Sequence, residues 1–600
     1  MLRAIIFFVL FYLYVWLVVD LRLIYHGGPW IQQFPNFYRE WTFFTEFLSY
    51  PGGLTKYISA FLSQFFCIGW AGAVIVTMQS WLLCISTGSI INRMNFPRLQ
   101  CIRFIPPILM LITYTQYTFF FPTMTALLAA FGCVCVFLKI ASRGKRSAVL
   151  VFLILSVFCY TIAGGAYLLF AVLCVIYEVL FRRRWQEPLV YLLIATGIPY
   201  IEGVLIFNMS VIDSFTTSLP FHWEIVYFQI RIELVRTVYV LYLYLPVILI
   251  IYGSWRTLFK RSDRPTKAPD AAKPVFRWII GTVVLFLIAG CAVLFSYDNK
   301  LKTQLKVDYY AYHKKWPRVI EAAKSDPDDY FVIFTVNRAL YHTGKLLSEM
   351  FTLTQYPEAF FLSAQKDPFV FWCKFDIYID LGLMNMGEHM LVEALEIFGE
   401  RPTILKRLAL VNMVKGDINT ATVYLKKLAK TIFDADWANV YLEKLASDPG
   451  LEKDRWIQQM RALKLTRDFD CAQASIDNTL LALLESNPKN QMASEYLLAM
   501  YLRIKLVDKV AENIGRFNDF GFATIPSYCE QAILIHNNII KKNVNLHGYH
   551  ISPQSLKRFK DFNNILKRYK YDKKAAFNDL KEFGDDSYFF YYLYGVPKSE

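Results

Sequence analysis

Residues 1–297 are a succession of long apolar runs broken by short basic loops, and the pattern ends abruptly at 298. Runs of this length leave few folds open. In lipid every backbone N–H and C=O must be satisfied within the spanning structure, which a helix does for itself. Candidate spans cover roughly 4–24, 57–91, 104–119, 122–141, 148–162, 165–181, 188–209, 237–254 and 276–297. Residues 57–91 are long for one span, so an interfacial turn is expected before the span proper at about Gly69. Residues 148–181 read as a hairpin turning at Ala163-Gly164-Gly165. Basic "RGKR" precedes the segment and "RRR" follows it, so both flanks belong on one side, and glycine permits the reversal.

Charge orients this array. Loops on one side carry Arg3; Arg93, Arg98 and Arg103; Arg143, Lys145 and Arg146; Arg182, Arg183 and Arg184; and six Lys or Arg in "RTLFKRSDRPTKAPDAAK". Loops on the other side carry little beyond Arg39 and Arg231, with Lys56 and Arg236 at span edges. Positive charge marks the cytoplasmic side, so the N-terminus is expected inside and, with nine spans, residues 298–600 outside. The net charge of +15 is thereby explained by topology, without nucleic acid. "MLRAIIFFVLFYLYVWLVVDLRLIY" is too long in its apolar run, and lacks a small-residue cleavage site, to be a signal peptide; an uncleaved first span is expected. Most of the eleven cysteines fall inside spans and none forms a CxxC, which gives neither a metal site nor a redox motif.

After "FSYDNK" the composition becomes that of a globular protein, with amphipathic helices joined by short turns. Pro327, Pro368, Pro402, Pro449 and Pro488 punctuate it at intervals of 41, 34, 47 and 39 residues, a spacing that suits irregular helix pairs. The clearest unit is 402–430, with Gly416 in its turn, Ala421 at the close contact, and Tyr424 and Leu428 on the buried face. Residues 337–351 are a weaker copy. The predicted fold is all-α: a polytopic transmembrane helix bundle of about nine spans, then an extracytoplasmic α-solenoid of tetratricopeptide-like (TPR-like) pairs. The bundle takes 1–297, a linker 298–304 and the repeat domain 305–600.

Candidate chemistry gathers on the expected outer side. Asp20 stands near the outer end of the first span, where an ionisable group is costly unless paired or facing water; a local pair with Arg22 is the structural alternative. "FYREWTFFTEFLSYPGG" (37–53) reads as an interfacial amphipathic helix over about 36–50, closed by Pro51-Gly52-Gly53. Phe37, Trp41, Phe44 and Leu48 form one stripe; Arg39, Thr42, Glu46 and Ser49 form another. Arg39, Glu40 and Glu46 suggest a polar cleft, against a plain interfacial anchor. The second large outer loop brings Asp213, His222, Glu224, Arg231, Glu233 and Arg236. His222 has no partner at metal-ligand spacing. Arg231 and Arg236 suit a lipid phosphate, or else pair with Glu224 and Glu233. Gln64, Gln116, Tyr117, Tyr160 and Glu202 are scattered polar groups at the external ends of spans, and "TYTQYTFFFP" (113–122) is expected to line a cavity or to hydrogen-bond between helices.

Over nearly its whole length the chain resembles an uncharacterised bacterial family of multi-span proteins with helical-repeat tails, through "FYREWTFFTEFLSYPGGLTKYISAFLSQ", "AYHKKWPRVIEAAKSDP" and "FGDDSYFFYYLY". It also resembles GT-C membrane glycosyltransferases in its many spans, acidic first outer loop and soluble outer domain. That resemblance implies a polyprenyl-phosphate-linked sugar as donor. Asp20, Glu40 or Glu46 would be the carboxylate, Arg231 or Arg236 the phosphate ligand with Arg39 and His222 beside them, and a divalent metal would be compatible. The first loop departs from that pattern in lacking a paired Asp-Asp or Asp-Glu. Three functions are therefore expected: a GT-C-like transferase at the external leaflet with the repeats binding acceptor, a non-enzymatic membrane-anchored scaffold whose repeats bind a protein partner, and a transporter or flippase. All place the chain in the inner (plasma) membrane with its C-terminal domain outside, periplasmic in a Gram-negative cell.

Overall fold

The computed structural model describes every residue except 1, 32–33, 95, 142–144, 218, 220–231, 259–271, 357–367, 466–475, 542 and 596–600. Those described form helices and no strands. They divide into two units: 1–27, 33–298 and 430–433 in the first; 28–32, 299–429 and 434–600 in the second.

The first unit runs through α1 (Leu2–Tyr14), α2 (Leu21–His26), α3 (Trp41–Leu48), α4 (Gly53–Gln64), α5 (Gly69–Arg93), α6 (Ile105–Thr115) and α7 (Phe121–Ile140). It continues through α8 (Lys145–Ala163), α9 (Tyr167–Ile176), α10 (Gln186–Ile198), α11 (Val211–Thr216), α12 (Ile232–Leu258) and α13 (Ala272–Ser296). Among the described residues, seven helical runs are long and apolar enough to cross a membrane: Leu2–Val19, Gly69–Arg93, Phe121–Ile140, Ser147–Phe181, Gln186–Ile206, Arg236–Trp255 and Trp278–Ser296. A shorter apolar helix covers Leu99–Thr115. Their outward faces expose Leu10, Leu193, Leu205, Leu294 and Phe295, as lipid-facing helices do. These runs mark the chain as a membrane protein.

Ser147–Phe181 is not straight. The rings of Phe152 and Phe170 stack with centroids 5.4 Å apart, whereas eighteen residues of continuous helix would separate them by about 27 Å. The chain reverses at Gly164 (φ +58°). Gly165 N donates to Thr217 O at 2.7 Å, and a Cβ on Gly165 would stand 2.6 Å from Phe215 O, so only glycine fits. Residues 57–91 are likewise broken: α4 ends in a 3₁₀ turn at Phe65–Cys67, Ile68 is extended, and α5 starts at Gly69.

Interhelical hydrogen bonds within the unit are few and local, as in other membrane bundles. Ser59 Oγ and Gln79 Nε2 both donate to Thr125 Oγ1, at 2.9 and 3.0 Å. Gln64 Nε2 donates to Pro35 O (2.8 Å), Tyr160 Oη to Ser214 O (2.7 Å) and Thr161 Oγ1 to Glu202 Oε2 (3.0 Å). The last three tie down Gln64, Tyr160 and Glu202, read from sequence as scattered polar groups at the outer ends of spans. Two others, Gln116 and Tyr117, keep a buried polar atom without a hydrogen bond among the described residues.

The second unit runs from α14 (Asn299–Tyr312) through α15 (Trp316–Ala323), α16 (Tyr330–His342), α17 (Leu346–Glu349), α18 (Pro368–Leu381), α19 (Met384–Phe398) and α20 (Pro402–Lys415). Then come α21 (Ile418–Leu428), α22 (Ala435–Ser447), α23 (Arg455–Leu463), α24 (Ile476–Ser486), α25 (Gln491–Arg503) and α26 (Val507–Glu512). It closes with α27 (Ser527–Ile540), α28 (Pro553–Arg568), α29 (Phe577–Gly584) and α30 (Tyr588–Tyr594). From α18 to α22 each helix packs on the next. In 402–430, Pro402 opens α20, Gly416 (φ +87°) stops it, and Ala421 and Leu428 are fully buried. Two cores result, one within 372–463 and another joining 307–351 to 480–589. In the second, α17 packs on α25 and α27. A strictly linear stack lacks such long-range contacts.

The predicted linker 298–304 is corrected: Asn299 onwards is already helix α14. Asp329, capping α16, draws it in by accepting from Gln304 Nε2 at 2.9 Å and pairing with Lys300 at 3.0 Å.

Candidate functional site

Asp20 sits where α1 passes through a π turn (Val15–Val19) into α2. Its backbone is left-handed (φ 57°), a conformation rare outside glycine and tolerated best by Asn and Asp, whose side chains bond locally. The carboxylate accepts from Arg22 N at 3.3 Å, capping α2, and takes the guanidinium on both oxygens, Nε at 2.8 Å and Nη2 at 2.7 Å. The start of α5 lies against this pair: a Cβ on Gly69 would be in van der Waals contact with Arg22 Nε at 3.6 Å and Asp20 Oδ1 at 3.7 Å. Both carboxylate oxygens are thus engaged by one bidentate guanidinium, the local pair with Arg22.

The predicted helix 36–50 is shorter. Only Trp41–Leu48 is helical; 36–40 lie outside any helix, with Glu40 extended. Phe37 and Tyr38 are buried, with Phe37 on Phe43, Tyr57 and Phe61 at 5.2–5.5 Å. Arg39 N donates to Lys430 O at 2.8 Å, outside the helical pattern. Phe43, Phe44 and Phe47, packed on Tyr57, therefore replace the predicted stripe, while Trp41 and Leu48 are exposed. The end falls at Pro51-Gly52-Gly53: Gly52 has φ +80°, and a Cβ on Gly53 would collide with Phe47 O.

Glu40 occupies the N-cap position of α3 but makes no cap; its carboxylate pairs with Lys430. Glu46 is exposed on α3 and makes no ion pair among the described residues. Ser210 caps α11: its Oγ accepts from Asp213 N at 3.1 Å and donates to Asp213 Oδ2 at 2.7 Å. Arg236 is exposed on α12. His222, Glu224 and Arg231 lie outside the described residues. Asp20 and Glu40 thus answer to different cations. Among the described residues, no three His, Cys, Asp or Glu are grouped to hold a metal ion.

The densest polar assembly lies in the second unit, at residues not singled out from sequence. Asp376 and Asp380, one turn apart on α18, face Arg338 and His342 of α16 and Arg407 of α20. Arg407 grips Asp376 with Nε (2.6 Å) and Nη2 (2.8 Å); Arg338 bridges Asp376 (3.1 Å) and Asp380 (2.6 Å). His342 Nε2 is 3.1 Å from Asp380 and its ring stacks on Trp316, centroids 4.2 Å apart. Arg407 lies against Tyr312 and Phe375, under 5 Å from each ring. Burial pushes the Asp380 carboxyl up, but Arg338 and His342 outweigh it and hold it well below the usual carboxylate range. Two guanidinium groups balance two carboxylates, so the cluster is a satisfied clamp across three helices rather than a reactive centre. The (i, i+4) aspartates were visible in "FDIYID", but their partners stand 31 and 38 residues away, beyond any local pattern.

A second tie involves Arg401, which is 4% exposed. Its Nη1 donates to Gly28 O at 2.9 Å and its Nη2 to Ile31 O. Trp30 meets Phe331 edge to face at 4.8 Å. A short piece of the first loop is therefore a structural part of the second unit.

A family model described as a family of unknown function (DUF6057) matches residues 1–595, and the chain belongs to that family. No curated protein and no solved structure matches it.

Proposed function

We propose that this family member is a multi-pass cell-envelope protein working as a scaffold, with the bundle as anchor and TPR-like helix pairs of the second unit receiving a protein partner outside the cytoplasm. The separation of the outer-loop carboxylates supports this reading. Asp20 pairs with Arg22 and Glu40 with Lys430, so among the described residues these two carboxylates share no acid–cation centre of the kind group transfer needs. The reversal at Gly164 and the helix Leu99–Thr115 bring the seven apolar runs to nine passes. An odd number puts the two ends on opposite sides, in keeping with the basic loops.

A second reading is a GT-C-like transferase using a polyprenyl-phosphate-linked sugar. It is favoured by Glu46, which stands exposed on a helix with no buried residue.

Photo-crosslinking amino acids at Val392, Val423 and Val440, exposed apolar positions on α19, α21 and α22, test the scaffold in the full chain. The expected result is one recurrent protein adduct, retained in Asp20→Asn, Glu40→Gln and Glu46→Gln, with envelope glycan incorporation unchanged. Loss of incorporation by about tenfold or more in one of these variants favours the transferase instead.

A further inference from the structure

At the end of the bundle where α1 begins and α5 finishes lies a cavity of about 490 Å³, within the size range of small-molecule sites. Arg93, Arg103, Asn92 and Ser89 supply its polar lining, and Phe8, Trp81 and Ile85 its largest apolar side chains. Gly88 forms part of its floor. A Cβ there would sit 3.4 Å from Arg103 Cδ, so the arginine lies directly over this residue. The Arg103 guanidinium rests on the Phe104 ring at 5.1 Å, and its Nε is buried without a hydrogen-bond partner among the described residues.

The electrostatics are one-sided. No Asp or Glu occurs in the sequence between Glu46 and Glu178. Neither Arg93 nor Arg103 makes an ion pair among the described residues. Two guanidinium groups lining one cavity, Arg93 exposed and Arg103 half-buried with its Nε unpaired, favour an anion between them. The apolar walls indicate what carries it. Trp81 and Ile85 are 45% and 47% exposed, and Ile5 on α1 is 50% exposed, so the wall continues into the lipid-facing surface.

We propose that this cavity binds the phosphate headgroup of an anionic membrane lipid. Arg93 and Arg103 hold the phosphate, and the first acyl carbons run along Phe8, Trp81 and Ile85. Basic pockets between membrane helices are suited to such headgroups, and guanidinium matches phosphate bidentately. The site is independent of the scaffold reading, because it uses none of the outer-loop residues.

The test uses the full chain in phosphatidylcholine nanodiscs doped with phosphatidylglycerol, followed by native mass spectrometry of retained lipid. Wild type is expected to retain phosphatidylglycerol preferentially. Arg93→Gln/Arg103→Gln should lower that retention by about tenfold or more, through loss of charge-assisted bonds. Gly88→Leu keeps both arginines but fills the cavity, and should lower retention as well. It decides the matter if the double variant does not fold. Equal retention in a folded double variant, or in Gly88→Leu, overturns the proposal. So does displacement of the lipid by inorganic phosphate alone, which would make free phosphate the ligand.

Discussion

Glu495 on α25 is 3% exposed and accepts one hydrogen bond, from Gln491 Nε2 at 2.8 Å. Burial pushes its pKa up from 4.5 to about 7, against the opposing pull of Gln491. The folded state thus binds this proton more tightly than the unfolded state. The stability it contributes is full below about pH 4.5 and is lost as pH rises to about 7, by up to roughly 3 kcal/mol. Thermal unfolding of the full chain across that window should show a decline that Glu495→Gln flattens; a parallel decline in both proteins would refute it. Residues at this scale were readable when their partners were near in sequence. Arg22 stands two positions from Asp20, and the alternative of a local pair followed directly. Arg338 and Arg407 find Asp376 across 38 and 31 residues, on helices whose juxtaposition no periodicity specifies.

Among elements, punctuation by glycine and proline was the most legible signal. The turn before Gly69, the stop at Pro51-Gly52-Gly53 and the opening of α20 at Pro402 all follow from conformational limits of single residues. The start of α3 did not, because burial of Phe37 and the bond from Arg39 N to Lys430 O override a sequence that could have been helical. The reversal at Gly164 can be checked directly. In a background with native cysteines replaced by serine, Phe152→Cys/Phe170→Cys should form a disulfide under mild oxidation. A straight helix would hold the two thiols about 27 Å apart and give none.

For the whole molecule, the division near 298 was plain from composition, but membership was not: 28–32 and 430–433 are each grouped away from their sequence neighbours. Sidedness rests on the basic loops and has a simple check. Cys101, exposed in the loop between Arg93 and Arg103, should react with an impermeant maleimide only after permeabilisation. A single cysteine at Tyr571, 60% exposed, should react in intact cells. The reverse pattern would invert the topology.

The hold of Arg401 on Gly28 and Ile31 also sets an order of assembly. The carbonyls at 28 and 31 leave the ribosome some 370 residues before the guanidinium that satisfies them. At about 5–20 residues per second, the first loop waits on the order of 20–70 seconds for its partner. During synthesis one of the earliest segments of the chain therefore stays incomplete until about two thirds of the chain has been made, and truncation before Arg401 would leave that segment unfinished.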